Sequence, residues 1–111
     1  LNEFRVEAQT VFNGSVWDMV LSQDPAQKYM YVADGANGRI YILQRSDGKQ
    51  VGQFGRTGRM AGEFKWIHNL AIDGDGNLYT AEVRTGRVQK YTPRKGANPD
   101  FLVGKPWPGV W

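Results

Sequence analysis

The chain has 111 residues, 41% hydrophobic and 23% charged, the proportions of one small globular domain, and this argues against disorder, collagen-like repeats and low-complexity behaviour. No apolar run approaches the roughly 18 residues of a membrane-spanning helix, because Asp18 interrupts even the stretch from Val16 to Leu21. Cysteine is absent, which excludes disulfides, thiolate nucleophiles, Cys-ligated zinc and Fe–S clusters within the chain. The net charge of +3 divides unevenly: residues 1–55 hold five Lys/Arg against six Asp/Glu, and residues 56–111 hold nine against five. The basic side chains of the second half, among them Arg56, Arg59, Lys65, Arg84, Arg87 and Lys90, are scattered rather than blocked. They attract anions only diffusely, which makes nucleic acid an unfavoured partner.

In chain order, short alternating runs of aromatic and β-branched residues predict strands at Phe4–Gln9, Val16–Leu21, Tyr29–Ala33, Arg39–Gln44, Gln50–Phe54, Ile67–Ile72, Leu78–Glu82, Arg87–Tyr91 and Phe101–Val103. Asp47-Gly48 and Asp75-Gly76-Asn77 supply residues that tolerate positive φ in hairpin turns. The expected fold class is all-β, with antiparallel neighbours.

The chain also repeats itself. Tyr31-Val32-Ala33-Asp34 matches Tyr79-Thr80-Ala81-Glu82, and Gly38-Arg39-Ile40 matches Gly86-Arg87-Val88, all 48 positions apart. Val16-Trp17-Asp18-Met19 matches Ile67-His68-Asn69-Leu70 at 51, the difference being three extra residues between Ser22 and Lys28. A four-stranded unit of roughly 45 to 50 residues is the size of a β-propeller blade. The expected organisation is one partial propeller unit: residues 1–11 an outer strand for exchange, 12–63 the first blade, 64–104 the second, and 105–111 a tail.

The run Ile67-His68-Asn69-Leu70-Ala71-Ile72-Asp73, then Gly76-Asn77-Leu78-Tyr79, then Arg87-Val88-Gln89-Lys90-Tyr91 resembles the NHL repeat of β-propellers. The likeness extends over about residues 12–104, with departures at Ser22, where the repeat usually has Asp, and at Gly38, where it has His. It implies propeller blades, usually six in this family. Two blades alone would leave apolar faces open, so self-association is expected, with a homotrimer of two-bladed chains closing a six-bladed ring. The N-terminal strand Phe4–Gln9 would then pair with a neighbour's last blade. The alternative is that the chain is part of a longer propeller.

His68 is the only histidine and opens the inner strand of the second blade. Structurally it would hydrogen-bond a neighbour. In a trimer, three copies would converge toward the axis, and three imidazoles with an open fourth position form a catalytic zinc arrangement. The propeller lyases of peptide amidation resemble this, with three channel histidines holding zinc; only His68 carries over by position, and their catalytic Tyr and Arg do not. Zinc is therefore the one cofactor expected, and a metal-dependent lyase or hydrolase is the alternative to a non-enzymatic binding or assembly module for a peptide, protein or small ligand. Trp17 takes the place equivalent to His68, and Asp18 that of Asn69, so Trp17, Asp18, His68 and Asn69 are the channel-lining candidates.

Other motifs read as structure. Asp73 to Asn77 fails the calcium-loop pattern, with Leu78 where Gly is needed and Arg84 where Glu is needed, and is expected to be a turn. Gly55 to Gly62 lacks the Gly-Lys-Ser/Thr of a phosphate loop and is expected to connect the blades. Arg39 and Arg87 are expected to pair across strands with Asp34 and Glu82. A Gly-x-Ser-x-Gly elbow is missing, and one His with no Cys gives triad chemistry little to work with. Trp107 and Trp111, among Pro99, Pro106 and Pro108, are expected to cover an open rim.

Overall fold

A computed structural model describes residues 2–92. Those residues form seven strands and no helix: β1 Val16–Leu21, β2 Tyr29–Asp34, β3 Arg39–Gln44 and β4 Gln50–Phe54 in one sheet, then β5 Ile67–Ile72, β6 Leu78–Glu82 and β7 Arg87–Tyr91 in another. Both sheets are antiparallel meanders with strands paired in chain order. The hairpin turns use the expected glycines, Gly48 at φ 72° and Gly76 at φ 85°, a region that glycine enters without a Cβ clash.

The two inner strands run side by side in the same direction. Asp18 Oδ2 on β1 accepts the Leu70 backbone N–H of β5 at 2.6 Å, and farther along both segments Gln23 Nε2, just past β1, donates to the carbonyl of Ile72, the last residue of β5, at 3.0 Å. Period-2 alternation then turns one face of each sheet toward the other. Tyr31, Ala33 and Ile40 of the first sheet pack with Ile67, Leu70 and Leu78 of the second, and the wholly buried Phe64 fills the space beside them. Phe64 also lies 6.2 Å from Phe54 and 5.5 Å from Tyr91, ring centre to ring centre.

The opposite face of the first sheet carries a smaller cluster of Val32, Tyr41 and Leu43. Here the expected N-terminal strand is corrected: residues 4–9 contain no strand. Val6 packs on that cluster instead, Tyr41 Oη donates to Glu7 at 2.9 Å, and Asn37 Nδ2 donates to Thr10 Oγ1 at 2.9 Å. The alternation of Phe4, Val6 and Ala8 imitates a strand, but the segment crosses the face of its own sheet and pairs with no sheet edge. The second sheet has three strands among the described residues; the expected fourth strand at Phe101–Val103 and the Trp107 and Trp111 tail lie outside them.

If Phe64 is the inter-sheet keystone, Phe64→Ala will lower the unfolding free energy by about 3–5 kcal/mol through lost burial and the cavity left behind. Phe12→Ala, at a fully exposed side chain, will change it by no more than about 0.5 kcal/mol. Urea denaturation at a concentration that keeps the chain monomeric measures both, and similar losses for the two variants would contradict this packing.

Candidate functional site

Each inner strand begins with the same irregularity. Between Val16 and Asp18 on β1, and between Ile67 and Asn69 on β5, two steps along the inner strand match one step on its partner. Trp17 and His68 are the extra residues of these equivalent β-bulges, a device that takes a side chain out of the ladder and re-aims it. The two rings meet edge to face, 5.9 Å between centres. The structure thus brings together the two positions that the repeat pairs.

Trp17 is half-buried, with Nε1 donating to the Gly14 carbonyl at 3.1 Å. Its ring also meets Trp66 edge to face at 5.0 Å, and Arg84 lies over Trp66 with its guanidinium carbon 4.1 Å from the ring centre, a cation–π distance. Arg84, Trp66, Trp17 and His68 therefore form one continuous stack. Trp66 adopts φ 61°, an uncommon backbone conformation for a bulky residue, and its carbonyl accepts from the Val83 N–H at 3.2 Å, which brings the β6–β7 turn and Arg84 over the indole. Trp66 and Arg84 were not singled out from the sequence; the only hint there was a second tryptophan two positions before His68.

His68 is exposed, with Nδ1 2.8 Å from Asn69 Oδ1. An amide oxygen only accepts, so Nδ1 is the donor of this contact, which in the neutral imidazole leaves the lone pair on Nε2. Asn69 is exposed beside it. Asp18 Oδ1 and Oδ2 accept the backbone N–H groups of Met19 and Leu70, so this carboxylate fastens the two sheets together. Among the described residues no three His, Cys, Asp or Glu side chains converge on a point where a metal ion could sit. One chain supplies a single imidazole to any such centre.

The frame below this stack is ionic. Glu82 is buried, and Arg87 spends all five of its N–H donors there: Nε and Nη2 on the Glu82 carboxylate at 2.8 and 3.1 Å, Nη2 also on Glu63 O at 2.8 Å, and Nη1 on Arg59 O and Met60 O at 2.7 and 3.3 Å. The Lys65 N–H and Gln89 Nε2 donate to the same carboxylate at 2.7 and 2.8 Å. Burial alone would raise the Glu82 pKa, but these donors together hold it below the ordinary glutamate value. Gly55 to Gly62 is indeed the connection between sheets, wrapped on Arg87. The first repeat departs from the expected symmetry: Asp34 and Arg39 face each other in register but form no ion pair. The Asp34 carboxylate instead accepts the backbone N–H and side-chain amide of Asn37, both at 2.8 Å.

The Asp73–Asn77 segment is a turn, as expected. Asp73 accepts the Asp75 and Asn77 N–H groups, the Asn77 amide and the Tyr79 hydroxyl, at 2.8 to 3.1 Å. The Asn77 side chain leads in holding its pKa down at about 2. Beside the stack, Arg59, Arg84, Thr85 and Arg87 line a shallow concavity of about 310 Å³. Since Arg87 is saturated, Arg59 and Arg84 are its cations with donors to offer. No known family model matches the chain.

Arg87→Ala leaves the buried Glu82 charge without its cation and will cost about 3 kcal/mol, whereas Arg39→Ala at an exposed residue will cost at most about 0.5 kcal/mol; equal losses in chemical denaturation would contradict the asymmetry. Both Asp73 and Glu82 have lowered folded-state pKa values, so their stabilisation is present above the unfolded carboxylate range and disappears as pH falls through the folded values. For Asp73 the window is about pH 4 to 2. Asp73→Asn will flatten the acid limb of the stability curve there, and an unchanged limb would contradict this account.

Proposed function

We propose that the chain is an NHL-like β-propeller module for binding or assembly, which associates with copies of itself, as a homotrimer, into a closed propeller. The observation that carries this reading is the outer face of the second sheet. Ala71, Tyr79 and Ala81 lie there partly or fully exposed with Val88, although the equivalent residues of the first sheet are buried against a neighbouring sheet. An apolar sheet face of this kind marks an interaction surface. Parallel adjacent inner strands, each leading an antiparallel meander, support blades around a common axis.

In such a ring the Trp17–His68 stack sits at the mouth of the channel, and that mouth is the binding face for a peptide or small ligand. The Trp17, Trp66 and His68 rings give it an apolar wall, and Arg84 gives it a cation. Propellers host many activities, so the ligand follows from this face and not from the fold.

A second reading, a zinc-dependent lyase or hydrolase, draws on one observation. His68 is exposed, and Asn69 Oδ1 holds its Nδ1, which in the neutral ring leaves Nε2 to bind, the kind of orienting hydrogen bond that metal-ligating histidines use. Three symmetric copies would supply three neutral nitrogen donors. RNA binding through the basic second half has less support, because Arg87 and Arg56 are engaged within the chain.

Light scattering coupled to size exclusion tests the main reading: a molar mass of three times the 12.5 kDa chain is expected, and a monomer at all concentrations would overturn it. Metal analysis of the same sample separates the alternatives. The zinc reading expects one ion per three chains, lost in His68→Ala with the mass unchanged. The non-enzymatic reading expects none.

A further inference from the structure

The interface that the open face would make is already present once inside the chain. The first sheet packs Tyr31, Ala33 and Ile40, all buried, and the partly buried Val20 against the second. The repeat places Ala71, Tyr79, Ala81 and Val88 at the same four positions of the second sheet, around a shallow groove of about 100 Å³, and there Val88 is 68% exposed. The receiving side is duplicated in the same way. Ile67 and Leu70, 0% and 8% exposed, receive the first sheet; their equivalents on β1, Val16 and Met19, are 54% and 48% exposed.

Phe64 has a counterpart as well. It stands three residues before Ile67, and Phe12 stands four residues before Val16. Phe64 is wholly buried between the sheets, whereas Phe12 is wholly exposed at a positive φ of 65°. Donor face, receiving strand and keystone phenylalanine are thus all present a second time, each without its complement.

We infer that the outer face of the second sheet, centred on Tyr79, Ala81 and Val88, docks head to tail on the β1 side of the first sheet of a second copy, with Phe12 of that copy closing over the seam as Phe64 does internally. This rests on the self-association proposed above and specifies its surfaces. The substitutions between the two interfaces compensate. Internally, Gly35 is pressed between the Trp17 ring and the Ile67 carbonyl, where a Cβ would come within 2.6 Å of that oxygen. Between copies, the equivalent Val83 meets Val16 beside the smaller His68 ring of its own sheet, so the bulk lost at the ring position returns at the turn position. Such a contact is heterologous, joining different patches on the two partners, and it closes into a ring when its rotation, repeated with the step already taken within the chain, completes a turn.

The N-terminal segment is the competitor for this surface. Val6 covers Val32, Tyr41 and Leu43, which lie on the receiving face beside Met19, so full docking lifts this segment away. Removal of residues 1–9 therefore strengthens association, whereas a segment that locked a neighbour's blade would weaken association when removed.

The absence of cysteine makes the test clean. Val16→Cys and Val83→Cys proteins, each at an exposed site, are mixed and treated with a short bis-maleimide. A cross-linked dimer in the mixture, with little in either protein alone, is the expected result, and Val88→Asp or Met19→Asp will reduce both the cross-link and the molar mass while the circular dichroism spectrum stays unchanged. A trimeric mass without the Val16–Val83 link, or self-linking of one variant alone, overturns this inference and leaves the proposed assembly standing. A monomer without cross-links overturns both, whatever else covers the face.

Discussion

A β-sheet has two faces, and the hydrogen bonds inside the sheet cover neither. This constraint governs the whole molecule. The first sheet is covered on one side by the second sheet and on the other, in part, by Val6. The second sheet is covered on one side only by the described residues, and Val88 marks the uncovered one. Fully burying a Val, Leu, Phe or Met side chain contributes about 1.5–3 kcal/mol; Val88, Val16, Met19 and Phe12 are 68%, 54%, 48% and 100% exposed, so an interface that hides what remains of them gains about 4–8 kcal/mol. Bringing two chains together costs about 4–15 kcal/mol. A single such contact is therefore marginal, while a closed ring of three copies makes three contacts for two association steps. Closure, more than the strength of any one contact, favours assembly.

Polar groups fix the angle at which the sheets meet. Asp18 reaches across to the Leu70 N–H, and the Glu82–Arg87 pair gathers the connection between the sheets against β7. A buried carboxylate is costly unless its oxygens are filled, and Glu82 is filled by Arg87, Lys65 and Gln89. The same arrangement aims the bulged Trp17 and His68 at each other and sets Arg84 over Trp66. The candidate binding face is thus a consequence of how the two sheets are joined.

Much of this was legible in the sequence, for a physical reason: alternation at period 2 reports which residues face a core. The bounds of β1, β3, β4, β5, β6 and β7 follow from it directly, and β2 is one residue longer than its apolar pattern because Asp34 still pairs with Arg39. Phe4–Gln9 shows the limit. Alternation there describes a segment with one buried side, and says nothing about whether a sheet edge stands beside it. The Arg39 and Arg87 positions look equivalent in sequence, yet only Arg87 has Glu63, Met60 and Arg59 carbonyls in front of it. The Trp66–Arg84 contact, between residues on different connections, depends on where the β6–β7 turn falls and carries no local signature.

The central claim is that two faces of this chain, copies of a pair already joined within it, are complementary to each other. Methyl NMR across a dilution series tests it most directly. If the faces are complementary, the methyl signals of Ala71, Ala81 and Val88 on one face, and of Val16 and Met19 on the other, will shift together with concentration, while those of the internally buried Ala33, Ile40 and Ile67 stay fixed. Shifts spread over unrelated surfaces, or confined to one of the two faces, would contradict it.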